Sequence, residues 1–201
     1  MVPLSFDVCD APATQAALRV AFAAHPIDLA IVNAGVSRGI GRGEEVENWE
    51  IAHAVLAVNL DGAIATVAGV LPGMRARGQG QIALISSLAG YVGLPITPIY
   101  CASKAGLKAY GEALQGWLAP QGIAVSVVMP GFVHTPMTDA FRGAKPFMVS
   151  ADRAAVLIRR GLARKAARIA FPLPLAVGLW SLAALPAGLS QRILRALGFG
   201  G

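Results

Sequence analysis

Tyr100 and Lys104 stand four residues apart in a stretch with helical spacing, which stacks their side chains on one face. A free tyrosine titrates near pH ~10, so it serves as an acid or base at neutrality only where a nearby cation favours its phenolate. Lys104 can supply that cation. Ser87, thirteen residues before Tyr100, leaves an apolar run on a loop and could hydrogen-bond a substrate oxygen beside the phenol, with Ser86 as the neighbouring alternative. An isolated Tyr-x-x-x-Lys pair is also what a solvated helix face offers, so its surroundings must decide.

The elements that would position these residues alternate along the chain. Leu4 to Val8 reads as a short strand closing in Asp7-Val8-Cys9-Asp10, and Ala13 to Ala24 then has helical spacing without breakers. Asp28 to Val32 is a compact apolar run ending at Asn33-Ala34-Gly35, and a glycine-rich loop leads into a helical stretch from about Glu45 to Leu71. Gln81 to Ser86 reads as a third strand, Tyr100 to Leu118 as a long helix, and Ile123 to Met129 as a fourth strand ending at Pro130-Gly131. This alternation predicts βαβ units with right-handed crossovers, hence an α/β, Rossmann-like, doubly wound parallel sheet. Ligands of such sheets lie beyond the carboxyl ends of the strands. There the sequence puts Asn33-Ala34-Gly35, Ser86-Ser87 and the run from Pro130 to Thr135.

Composition narrows the class. Of 201 residues 55% are hydrophobic and only 14% charged, which excludes a disordered chain and suits one domain over residues 1–201, a core of 1–168 followed by an apolar segment, 169–201. Seventeen Lys and Arg against eleven Asp and Glu leave a net charge of +6, which favours an anionic partner. Eight basic residues fall between Arg142 and Arg168 without the interleaved aromatics that single-stranded nucleic acid would stack on, so nucleic acid is set aside. Cys9 and Cys101 form no CxxC pair and no Cys/His cluster at ligand spacing, so no metal site is expected and a reducing cytoplasm is the plain reading. The N-terminal residues lack the basic-then-apolar pattern of a signal peptide.

Taken together, Asn33-Ala34-Gly35, Asn59 within Val-Asn-Leu, Ser87, Tyr100-Cys-Ala-Ser-Lys104, and Pro130-Gly131 followed by Thr135 resemble, in order and spacing, the short-chain dehydrogenase/reductase (SDR) family from Asp7 to about Met137. The resemblance implies an oxidoreductase that uses NAD or NADP and passes hydride between nicotinamide and a carbonyl or secondary alcohol of a small substrate, in a homo-oligomer. It implies that Tyr100 gives or takes the proton and Ser87 orients the carbonyl oxygen. Lys104 would lower the tyrosine pKa and hold the nicotinamide ribose, while Asn59 would anchor a water that relays protons to Lys104. Asp7 and Val8 would meet the adenine, and Asn33, Ala34 and Gly35 would pack beside the cofactor. Pro130, Gly131, Val133 and Thr135 would lie along the carboxamide and phosphates. Local duties compete with these roles: Asp7 suits a helix cap, Asn59 a helix bend, and Pro130-Gly131 a plain turn.

Two departures stand out. The family's Thr-Gly-x-x-x-Gly-x-Gly turn after a first strand is missing, so the first two strands of the sheet are expected to be absent, the remaining sheet to have a bare apolar edge, and the chain to be a fragment or to carry a misplaced start. Gly35 to Gly41 matches the glycine spacing, but Asn33-Ala34-Gly35 already accounts for Gly35, and Glu44-Glu45 would set carboxylates near a phosphate. The second departure is the run from Ile169 to Leu189, which has no charged residue but is interrupted by Pro172, Pro174 and Pro186. It predicts an edge strand and a short apolar helix rather than a span. The cations from Arg153 to Arg168 ahead of it suit peripheral contact with anionic lipid, or a solvated helix. The alternatives are a sugar-nucleotide epimerase or dehydratase, which would need a longer C-terminal domain, and a non-catalytic dimerising or membrane-associated module.

Overall fold

Uninterrupted runs of Val, Ile, Leu and Ala suit strands covered on both faces, and such runs form the middle of this fold. The structure is a computed structural model that describes residues 3–37, 48–141 and 143–199. Four parallel strands, β1 (Leu29–Val32), β2 (Gly80–Ile85), β3 (Ile123–Pro130) and β4 (Arg168–Phe171), lie side by side in chain order. The register sets Val32 beside Leu84, Ile85 beside Val128, and Pro130 beside Phe171. The strand ends that carry Asn33, Ser86 and Gly131 therefore all open at one edge of the sheet. The α/β architecture with a parallel sheet is the one expected from the sequence.

The helices are α1 (Ala11–Ala24), α2 (Trp49–Leu56), α3 (Gly62–Arg77), α4 (Pro98–Leu118), α5 (Pro136–Asp139), α6 (Ala151–Ala163), α7 (Leu173–Ala183) and α8 (Ala187–Leu194). Caps set several starts: the Asp10 carboxylate accepts from the Ala13 N–H at 2.9 Å, Asn48 from Ile51 at 3.0 Å and Ser150 from Arg153 at 3.2 Å. Pro98 opens α4, where its missing N–H costs nothing. On one face of the sheet α3 and α4 bury Val67, Val70, Met74, Leu107 and Leu114 against Ile82, Leu84 and Val125. On the other, Ala154 and Leu162 of α6 pack with Ala83, Val128, Ile169 and Phe171. The helical run Trp49–Arg77 is 29 residues long and apolar enough to cross a membrane by length and composition, but half of its most apolar stretch is buried in this core.

Three expectations are corrected. Leu4 to Val8 is not a strand: residues 3–7 have no regular structure and Val8 and Cys9 form a turn. A strand needs a neighbour to take its N–H and C=O groups, and here the Asp7 carbonyl accepts instead from the Asp10 N–H at 3.0 Å and the Thr14 hydroxyl at 3.0 Å. The crossovers do not share one hand. Strand order advances in one direction throughout, yet α3 and α4 cross on one face and α6 on the other, so the third connection is opposite to the first two. The long segment between β3 and α6 lets the chain round the sheet's end, held by a bridge between Val133 and Val149. Finally, the helix expected from about Glu45 to Leu71 runs on to Arg77, is broken by a π-helical step at Ala57–Asp61, and has its first expected residues outside the described ones.

Among the described residues β1 is the outermost strand on its side of the sheet. Ala30 and Val32 turn toward α3, while Leu29 and Ile31 on the opposite face are 40% and 51% exposed. The apolar C-terminal segment forms, as expected, a short strand and then helices: β4 joins the sheet and α7 follows it.

Candidate active site

β2 ends in two serines whose side chains take different directions. The buried Ser86 hydroxyl donates to the Lys104 carbonyl at 2.7 Å and so ties α4 to the sheet. Ser87 caps the short turn that follows, accepting from the Ala89 N–H at 3.1 Å, and its hydroxyl reaches both the Pro130 carbonyl, at 3.4 Å, and the Tyr100 phenol. Tyr100 sits in the first turn of α4, and one turn later the Lys104 ammonium lies 5.7 Å from the Tyr100 ring centroid. Lys104 is 4% exposed, and its ammonium donates to the Ile85 carbonyl at 2.9 Å. The structure thus brings Ser87, Tyr100 and Lys104 to one corner.

Burial governs the protonation of that corner. It lowers the Lys104 pKa to about 8. It also pushes the Tyr100 phenol up, opposed by the hydrogen bond from Ser87. The sequence expectation had Lys104 lowering the tyrosine. In this structure desolvation leads, and the phenol holds its proton at neutral pH.

Asn59 is fully buried in the π-helical step and joins three segments. Its carboxamide oxygen accepts from the Val36 N–H at 2.8 Å, and its nitrogen donates to the Val36 carbonyl at 2.9 Å and to the Ser103 hydroxyl at 3.0 Å. Ser103 in turn donates to the Tyr100 carbonyl at 2.7 Å. The Asn59 side chain therefore clamps the loop after β1 onto α4. That loop carries Gly35, where a side-chain carbon would come within 3.4 Å of both the Asn59 Oδ1 and the Lys104 Nζ. The bare Cα keeps this gap open.

The remaining expected site residues divide. Asn33 and Ala34 are exposed just beyond the end of β1. Pro130 accepts the Ser87 hydroxyl, and Gly131, whose N–H donates to the Phe171 carbonyl at 2.7 Å, lines the cavity beside Tyr100. Val133 packs into the α6 cluster on the far side of the sheet. Thr135 caps α5, accepting from the Thr138 N–H at 3.3 Å. Asp7 accepts from the Cys9 N–H at 2.9 Å, and Val8 presses on Gly62, so both serve the turn before α1 and neither lines the cavity. In the glycine spacing from Gly35 to Gly41, residues 38–41 lie outside the described ones.

The phenol and Ser87 open into a cavity of about 650 Å³, including the part open to solvent. Leu88, Leu94, Phe132, Met137, Phe141, Leu175, Leu179 and Phe199 supply an apolar wall, with Ser37, Thr97 and Thr138 as polar points. Sequence reasoning singled out none of these wall residues. The uncharged run over residues 169–189 was the available signal for Leu175 and Leu179, because a helix apolar all round must bury at least one side.

The family model described as short chain dehydrogenase matches residues 1–146. The chain belongs to the short-chain dehydrogenase family. Among relatives in this family of oxidoreductases, an uncharacterized oxidoreductase of Myxococcus xanthus is 35% identical over 196 residues, which are 97% of this chain and 77% of that protein. Human 17-beta-hydroxysteroid dehydrogenase type 1 is 33% identical over 141 residues, or 70% of this chain and 42% of the human protein. The chain therefore spans less than half the length of that relative. A short chain dehydrogenase of Burkholderia cenocepacia, solved in complex with NADP, superposes with a TM-score of 0.81 at 25% identity, covering 96% of this chain and 80% of that one. Carveol dehydrogenase of Mycobacterium avium, solved with NAD, gives 0.62 at 29% identity over 68% of this chain and 50% of its own.

Proposed function

We propose that this short-chain dehydrogenase uses NAD or NADP to interconvert a carbonyl and a secondary alcohol on a small, largely apolar substrate. The observation that carries the reading is the Ser87–Tyr100–Lys104 corner opening into an apolar-walled cavity. The Lys104 ammonium has three donors and makes one hydrogen bond among the described residues, and the gap at Gly35 lies beside it. That cradle fits ribose hydroxyls, so Lys104, Gly35 and the strand-end residues Asn33 and Ala34 would hold the nicotinamide side of the cofactor. When bound, the nicotinamide supplies the hydride chemistry.

The chain's own residues handle position and proton. The Ser87 hydroxyl hydrogen-bonds the substrate oxygen and fixes it beside the phenol. In reduction the Tyr100 Oη gives its proton to that oxygen; in oxidation it takes the proton back. A phenol kept protonated by burial is matched to the first duty, and the neighbouring Lys104 charge steadies the phenolate that results. Asn59 and Ser103 hold the loop after β1 against α4, and the apolar wall excludes water from the reacting oxygen.

We further infer one domain over residues 1–201, cytoplasmic and assembled as a homo-oligomer; the exposed Ile64 on α3 and Trp117 on α4 support a subunit contact. A glycine-rich strand, turn and helix packed along β1 would complete the phosphate site, and the bare Leu29 and Ile31 support that arrangement. The test is oxidation of NADH and NADPH with a panel of apolar ketones, read for the natural chain and for Tyr100→Phe. Ketone-dependent oxidation that the substitution abolishes is the expected result. Turnover that survives it at more than about a hundredth of the original rate removes Tyr100 from this role.

A further inference from the structure

The charges of this chain are sorted along its length. Residues 153–201 carry eight Arg and Lys and no acidic residue, whereas residues 1–152 carry nine basic against eleven acidic, so the net +6 is a segment of +8 joined to a body of −2. Within the basic segment, residues 169–189 contain no charged side chain. Most of that stretch is α7 and the turn leading to α8.

On its inner side α7 is accounted for. Ala176 and Leu179 are buried, and Leu175 and Leu182 pack beside them, with Leu175 and Leu179 walling the cavity. The outer side is just as apolar and is bare. Leu173 is 69% exposed, Val177 52% and Trp180 58%, at the spacing that sets them on one face. Exposed Leu185 and Leu189 continue the apolar surface into α8. Three residues after Leu189, on the same side of α8, comes exposed Arg192, and exposed Arg195 follows within another turn. A helix apolar all round belongs in a core or in lipid, and α7 meets a core on one side only.

We propose that the outer face of α7, together with Leu185, Leu189, Arg192 and Arg195, seats this protein on an anionic lipid surface. The chemistry of the partner follows from the patch. Aliphatic side chains enter the acyl boundary, the amphipathic Trp180 ring lies at headgroup level, and Arg192 and Arg195 pair with lipid phosphates and carboxylates. No acidic residue follows Asp152 to oppose that charge. At eleven residues α7 is about 16 Å long against a hydrocarbon core of roughly 30 Å, so it lies in the interface and does not span it. This seat is independent of the oxidoreductase reading, because vesicle binding needs neither cofactor nor turnover.

The experiment is co-sedimentation of the whole chain with vesicles of phosphatidylcholine plus phosphatidylserine, and with vesicles of phosphatidylcholine alone. It is joined by the emission of Trp180 in a Trp49→Phe/Trp117→Phe background. The expected result is salt-sensitive binding to the anionic vesicles with a blue shift of Trp180. Val177→Glu/Trp180→Glu abolishes it, and Arg192→Glu/Arg195→Glu weakens it at least roughly tenfold, as two basic contacts at a charged surface require. All of these positions are exposed, so circular dichroism and Tm should not move. Failure of the natural chain to bind, or equal binding by Val177→Glu/Trp180→Glu, overturns the proposal. So does a lipid-free dimer that Val177→Glu/Trp180→Glu turns into monomer, which assigns the face to a second copy.

Discussion

The corner around Tyr100 and the margin at β1 belong to one sheet and differ in how many neighbours hold them. At the corner, Ser86, Ser87, Asn59, Ser103 and Lys104 each bond to a different segment, and four of them are less than 5% exposed. At the margin, Leu29 and Ile31 stand in a correct parallel ladder with β2 yet leave half their surface to water. The difference teaches that the geometry around Tyr100 is over-determined within this chain, whereas the margin at β1 is only outlined by it.

The largest effect that would break this contrast is at the phenol. With a ketone substrate, Tyr100→Phe should lower kcat by a factor of about 10² to 10⁴, with calorimetric NAD(P) affinity nearly unchanged, because only a proton is lost. Next comes Gly90, where an added Cβ would stand 2.9 Å from the Lys104 carbonyl oxygen, a backbone atom that cannot rotate away. Gly90→Ala should cost about 1–3 kcal/mol in chemical denaturation and reduce kcat by prising the Ser87 turn from α4.

A third substitution sharpens the contrast by trading function for stability. A Lys104 pKa lowered from 10.5 to about 8 corresponds to roughly 3 kcal/mol against folding with the ammonium buried, and losing its bond to Ile85 returns about 1 kcal/mol of that. Lys104→Met should therefore abolish turnover, weaken cofactor binding and stabilise the fold by about 2 kcal/mol at pH 7. Between pH 8 and 10.5 the unfolded chain holds this proton and the folded one does not, so the natural chain gains stability as pH rises through that window. The advantage of Lys104→Met should shrink in step, read by urea denaturation at pH 7 and 10. The smallest effect belongs to the margin. Ile31→Lys should change stability by no more than about 0.5 kcal/mol while reducing self-association in sedimentation velocity.

Much of this was legible beforehand, for identifiable reasons. Three strands were found to within a residue or two because parallel strands must be continuously apolar, and α4 because Tyr100 to Leu118 contains no proline. Ser86 and Ser87, weighed against each other in the sequence, take different partners, the Lys104 carbonyl and the Tyr100 phenol. Leu4 to Val8 misled because its composition suits a strand but no ladder partner stands beside it among the described residues. Ser103 stood inside the Tyr100–Lys104 string without a role, since its bond to Asn59 depends on packing between residues 44 apart. The cavity wall was unreadable for a similar reason: Phe132, Phe141 and Phe199 share no period and meet only in the folded chain.

The π-helical step at Ala57–Asp61 has a consequence for the phase of its own helix. One extra residue in a turn rotates everything after it by about 100°. The buried stripe of α2, Ala52 and Val55, and that of α3, Ala63, Val67, Val70 and Met74, therefore belong to one rod but point along different azimuths, one toward α4 and the other toward the sheet. An uninterrupted α-helix of the same composition would satisfy one azimuth and forfeit the other. Asn59 occupies the dislocation itself: the buried positions keep three- and four-residue spacing through it, from Val55 to Asn59 to Ala63, so the change of azimuth is made by the backbone at the residue that clamps the site.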